Sequence, residues 1–249
     1  MGLLRVILNR GSFLDIASCL IASAIVVFLV MPVHEYAHGF VAGRLGDPTP
    51  RWQGRLSLNP MRHVDYMGAL MIFLVGFGWA KPVQVDSRYF KNPKRDMAIT
   101  AFAGPLSNLI VALISAFLVS TMQFVFLKVD FFSLLGNSLY YNPAVLENSF
   151  WYTILFVVFR VFIFIMQINI SLAVFNLIPI PPLDGSKILA AFLPDRIYWN
   201  IMRYERYLYF GLIFLLFFGS GFRNILGNAI YNISDLMLDV AWLPFKYFL

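Results

Sequence analysis

Long apolar stretches separated by short polar clusters organise this chain. The first runs from about Leu14 to Val41, carries His34, Glu35 and His38 near its far end, and breaks at Gly43 and Gly46. Others cover about Met97 to Leu127, Ser149 to Leu177, Tyr207 to Gly219 and Asn224 to Phe245, the last interrupted by Asp235 and Asp239. A helix of roughly 20 apolar residues crosses ~30 Å of hydrocarbon, so the pattern predicts an all-α polytopic membrane protein with about five or six transmembrane helices. After the first stretch the period changes. Trp52, Leu56 and Leu58 alternate with Arg51, Gln53, Arg55 and Ser57 as far as Asn59-Pro60, which is the period of a β-strand. Met67 to Ala80 is apolar but too short for a comfortable span, and a second short strand is expected at Val83-Gln84-Val85. Together these predict a short membrane-associated β-hairpin or re-entrant segment after the first helix, with an open edge on which an extended peptide could pair.

Composition strengthens the membrane reading: 60% of the 249 residues are hydrophobic and 13% charged, with a mean hydropathy of +0.74. No soluble domain of useful size fits between the apolar stretches. The expected organisation is one membrane-embedded unit over 1–249, with a core at about 14–195 and C-terminal helices at about 200–249. The net charge of +6 does not point to nucleic acid, because the basic residues flank apolar segments, where they report orientation. Arg44, Arg51, Arg55 and Arg62 on one side of Met67 to Ala80, and Lys81, Arg88, Lys91, Lys94 and Arg95 on the other, put both flanks in the cytosol. The sparsely charged loop Lys128 to Asn148 is then external. Arg5 and Arg10 precede the first helix and oppose this orientation unless they belong to an interfacial piece. The single cysteine, Cys19, excludes an internal disulfide or a thiolate metal cluster within the chain, so a metal would be held by His and carboxylate.

His34-Glu35-Tyr36-Ala37-His38 matches H-E-x-x-H, which sets two imidazoles one helical turn apart on one face with a carboxylate beside them. Composition alone produces this pattern with a probability of roughly four in ten thousand. Two histidines merely satisfied by bundle hydrogen bonds is the plainer alternative, but ionisable groups inside a membrane helix are costly and usually mark a site. A hydrolytic zinc site takes three protein ligands and keeps a fourth position open. His63, on a basic loop, and Asp184, after the proline-rich turn Pro179-Ile180-Pro181-Pro182, are the candidates for the third. Asp184 also suits a helix N-cap ahead of Gly185 and Ser186, and the residues alone leave the choice open. Arg160, mid-span among Val157, Val158, Val161 and Phe162, needs a partner that the sequence does not name.

Three motifs in order, His34-Glu35-x-x-His38, Gly104-Pro105-Leu106-Ser107-Asn108 and Asn176-Leu177-Ile178-Pro179-Ile180-Pro181-Pro182-Leu183-Asp184-Gly185, resemble the signature of the site-2 protease family of intramembrane zinc metalloproteases, peptidase family M50. The resemblance covers roughly residues 20 to 195 and is to short prokaryotic members without a PDZ or CBS domain. It implies one zinc ion held by His34, His38 and Asp184, Glu35 as the catalytic base, and Asn176 holding the substrate carbonyl or its oxyanion. Asn108 is a second candidate for that last role, although its spacing from Gly104 suits close helix packing with an interhelical hydrogen bond. The implied function is cleavage of a transmembrane or membrane-adjacent segment of a single-span protein, in the plasma membrane, with the active site towards the cytosol. A zinc hydrolase of lipid amides and a catalytically silent protein that binds membrane segments are the alternatives.

Overall fold

Ser12 starts the first long helix through a reciprocal cap. Its hydroxyl accepts from the Asp15 amide while the Asp15 carboxylate accepts from the Ser12 amide. This was observed in a computed structural model that describes residues 2–76, 78–128 and 150–246, so the expected external loop falls almost wholly outside the described residues. A short helix, α1 (Leu3–Leu8), carries Arg5 and precedes the cap. The capped helix, α2, runs over Phe13–Arg44. It is wound as a π-helix from Val26 to Val30, immediately before Pro32, which has no amide proton to give the preceding turn.

From α2 the chain passes through a helical turn at Thr49–Trp52 and a 3-10 turn at Pro60–Arg62 to α3 (Tyr66–Val75), capped by the Asp65 carboxylate. The strand expected at Arg51 to Leu58 is absent. Gly54 takes a left-handed conformation with φ of 64°, the Arg55 amide turns back to the Pro50 carbonyl at 2.8 Å, and Ser57 bonds Arg55 at 2.9 Å. Local turns thus satisfy the backbone groups that a ladder would have used, and the alternating pattern is that of a turn-rich loop. Val83 to Val85 has no regular secondary structure and joins no sheet, and the described residues contain only one isolated antiparallel bridge, Val64 to Ala80. With 10 residues, or about 15 Å, α3 spans only half of the hydrocarbon.

The remaining α-helices are α4 (Pro93–Lys128), α5 (Phe150–Asn176), α6 (Asp184–Ala190), α7 (Asp195–Arg203), α8 (Glu205–Phe218) and α9 (Ser220–Trp242). Among the described residues, three helices are long and apolar enough to cross a membrane: α2, α4 and α5. α8 and α9, bent by 81° at their junction, make at most a fourth. Two segments counted separately in the sequence expectation of five or six spans are therefore the arms of this bent pair.

α2, α4 and α5 pack against one another, and α9 lies across α4 and α5. Val26, Val27 and Val30 of α2 meet Ile168 and Leu172 of α5 and Ile72 of α3. Ala112 and Ala116 let α4 approach Met166 and Ile170, with Ala241 of α9 closing the same cluster. Beside the first turn of α2 Arg160 finds its partner. It pairs with Asp15, the capping residue of α2, and its guanidinium lies 5.9 and 5.4 Å from the ring centroids of Phe156 and Phe164. Arg160→Leu strands the Asp15 charge and is expected to cost about 1–3 kcal/mol, less than a fully buried pair because both side chains stay partly accessible. Thermal unfolding in detergent checks this. Adding Asp15→Asn, which removes the stranded charge, should restore part of the loss, and an additive double variant would refute the coupling.

Candidate metal centre

His34 and His38 lie one turn apart on α2, so their rings leave the same face, and both are buried. Their Nε2 atoms are 3.1 Å apart. The third group comes from far along the chain. α5 ends at Asn176, the proline-rich turn reverses direction, and Asp184 opens α6 with its Oδ2 3.5 Å from His34 Nε2 and 3.2 Å from His38 Nε2. A tetrahedral zinc with bonds of about 2.0–2.1 Å separates its ligand atoms by about 3.3 Å, so these three atoms fit one ion.

The surroundings also suit ligation. His38 Nδ1–H donates to the Thr100 carbonyl of α4 at 2.8 Å; because a carbonyl can only accept, Nδ1 keeps its proton, and it is Nε2 that would give up its own to turn a lone pair on the cluster when a metal binds. Burial opposes ionisation of Asp184. The charge of His38, hydrogen bonds from both imidazoles and the Lys187 ammonium, 3.3 Å from Oδ1, outweigh it and hold the carboxyl well below the usual carboxylate range. Asp184 is thus an anion, the form that binds a metal.

Glu35 is buried beside this group but outside it, and its Oε2 accepts a 2.9 Å hydrogen bond from the Val83 backbone amide. The irregular segment carrying Val83 is anchored on both sides. Lys81 N–H bonds the His63 carbonyl at 2.8 Å, and Asp86 N–H bonds the Asp47 carboxylate at 2.8 Å. A cavity of about 690 Å³ opens over the cluster, lined by His34, Glu35, His38 and Asp184 and by apolar groups including Met31, Leu172 and Phe175. Asn176 and Asn108 line it too. Asn108 is 1% exposed, and neither amide atom has a hydrogen-bond partner among the described residues. The interhelical hydrogen bond expected for Asn108 is therefore not made.

Of the two candidates for the third position, only Asp184 reaches the imidazoles. His63 is fully buried elsewhere, its Nε2 2.6 Å from the Ser57 carbonyl, where it ties down the preceding loop. Three residues near the cluster escaped the sequence reading in this role. Thr100 and Val83 act through backbone atoms, which leave no trace in residue identity. Gly104 of α4 faces the rings so closely that a Cβ there would lie 2.3 Å from His38 Nε2 and 2.6 Å from His34 Cε1.

The family model described as peptidase family M50 matches residues 22–218. YwhC of Bacillus subtilis, named as a candidate zinc metalloprotease, is 34% identical over 78% of this chain and 78% of its own length. Rip2 of Mycolicibacterium smegmatis, named in the same way, is 29% identical over 61% of this chain and 50% of its own. Rip2 of Mycobacterium tuberculosis is 26% identical over 79% and 73% respectively. No solved structure matches the chain.

Proposed function

The chain belongs to peptidase family M50, and from that premise we propose that it is a zinc-dependent intramembrane endopeptidase that cleaves a transmembrane or membrane-adjacent segment of a single-span protein. The observation that carries this reading is the meeting of His34, His38 and Asp184 at ligand spacing in an apolar cavity that also holds Glu35. His34, His38 and Asp184 would hold one zinc ion, which would supply Lewis acidity for activating water and polarising the scissile carbonyl. Glu35 takes a proton from the attacking water and returns it to the leaving amide nitrogen. Asn176 and Asn108, whose amides can donate to a carbonyl oxygen, hold the substrate backbone or the developing oxyanion. The apolar wall formed by Met31, Leu172 and Phe175 receives the unwound membrane segment and keeps bulk water from its backbone. The basic loops around α3 support an orientation with the site towards the cytosol of a prokaryotic plasma membrane.

The test is reconstitution of the purified chain with a panel of single-span membrane proteins and, separately, with lipid amides. Defined fragments should appear from some of the proteins, vanish on chelation and return with zinc. Zinc-dependent hydrolysis of the lipid amides with every protein left intact would overturn the proposal.

A further inference from the structure

The opposite faces of α8 do different things. Tyr209, Leu212, Ile213 and Leu216 line the metal cavity, whereas Tyr207, Phe210, Phe214 and Phe218 are 74%, 61%, 61% and 73% exposed. Those four aromatics, spaced three and four apart, form one stripe along the helix. From Tyr207 to Phe218 it runs about 16 Å, the depth of one leaflet of a ~30 Å hydrocarbon layer. At the end of the stripe that starts the helix, where the amphipathic α7 joins α8, lies a second cavity of about 600 Å³. Arg203, Arg206, Glu205, Met202 and Tyr207 line it, so its lining carries two basic side chains and one acidic one. Neither arginine makes an ion pair among the described residues.

We propose that this cavity binds the headgroup phosphate of an anionic phospholipid whose acyl chains lie along the Tyr207 to Phe218 stripe. A basic cavity joined to an apolar stripe one leaflet long has the shape and polarity of such a lipid. Guanidinium is the side chain best matched to phosphate because its N–H groups can bond two oxygens at once. An amphipathic helix such as α7 belongs in the interfacial plane, where headgroups are found. A free anion would use the arginines but leave the stripe idle. An acidic peptide would likewise gain nothing from aromatics that face outward. The headgroup would sit against Pro182, which lines both cavities and stands two residues before Asp184.

The test uses the full chain in detergent with equal amounts of phosphatidylglycerol and phosphatidylcholine, and measures retained lipid by mass spectrometry after gel filtration. Wild-type protein should retain phosphatidylglycerol roughly tenfold to thirtyfold over phosphatidylcholine, the combined effect of two interfacial arginines. The Arg203→Gln, Arg206→Gln pair should abolish the preference. The Arg203→Lys, Arg206→Lys pair should keep most of it, and Phe210→Ser with Phe214→Ser should lower total retention. A control pair elsewhere on the basic surface, Lys91→Gln with Arg95→Gln, should change the preference less than twofold. An equal loss in that control, or an unchanged preference in the arginine-to-glutamine pair, overturns the site. Displacement of the lipid by millimolar inorganic phosphate, or by a soluble acidic peptide, overturns the choice of a phospholipid. Should the glutamine pair fail to fold, the lysine and serine pairs decide: lost preference in the former, or undiminished retention in the latter, rejects the proposal.

Discussion

Gly104→Ala is expected to lower zinc affinity by about 100-fold or more, although it alters no ligand. The added methyl carbon would stand 2.3 Å from His38 Nε2, 2.5 Å from His38 Cε1 and 2.6 Å from His34 Cε1, distances that no carbon maintains against a ring. Either α4 moves outward or the imidazoles rotate. α4 cannot move freely, because Ala112 and Ala116 a few turns on are packed against α5, and Thr100 on the same helix holds His38 by its Nδ1. The rings therefore give way, and a displaced ligand costs at least as much as the loss of an outer-sphere partner, which is typically 10- to 100-fold. Competition with a fluorescent chelator measures the affinity, and circular dichroism with thermal unfolding checks that the bundle is intact. Wild-type zinc affinity in a folded Gly104→Ala protein would show that α4 does not approach the histidines in this way.

Glu35→Gln should do the reverse, keeping the metal and losing the chemistry. The amide has nearly the shape of the carboxylate, and its oxygen can still accept from the Val83 amide, so the position of the side chain is preserved. What it cannot do is accept a proton. General acid–base catalysis contributes about 10²- to 10⁴-fold, and turnover is expected to fall by about that much at unchanged zinc content. The readouts are fragment appearance from a cleaved single-span protein and metal analysis of the same preparation. Cleavage at the wild-type rate would remove Glu35 from the mechanism.

How much of this was legible in the sequence depends on the range over which each feature is determined. His34 and His38 were readable because helix geometry alone places residues four apart on one face. Asp184 was ambiguous because an aspartate at a helix start is as often a cap as a ligand. In the structure its carboxylate turns away from capping, towards the imidazoles and Lys187, a choice made by the tertiary position of α6. His63 illustrates the same limit from the other side, since nothing local distinguishes a buried loop anchor from a ligand. The long helices α2, α4 and α5 followed from apolar length. Arg51 to Leu58 misled because seven alternating residues fit a strand pattern while Pro50, Gly54 and Pro60 around them favour turns, and the turns prevailed. Gly104 looked like a helix-packing residue, and it is one, but what packs on it is a pair of rings rather than another backbone.

The hydrogen bond between Val83 and Glu35 comes from the main chain. Every amino acid except proline brings the same donor, so a substitution at this position can leave the Glu35 carboxylate in its orientation. Its aim is set by the path of the polypeptide between the anchors at His63 and Asp47, and a change in the length of that stretch would reach Glu35 sooner than a change in its lettering.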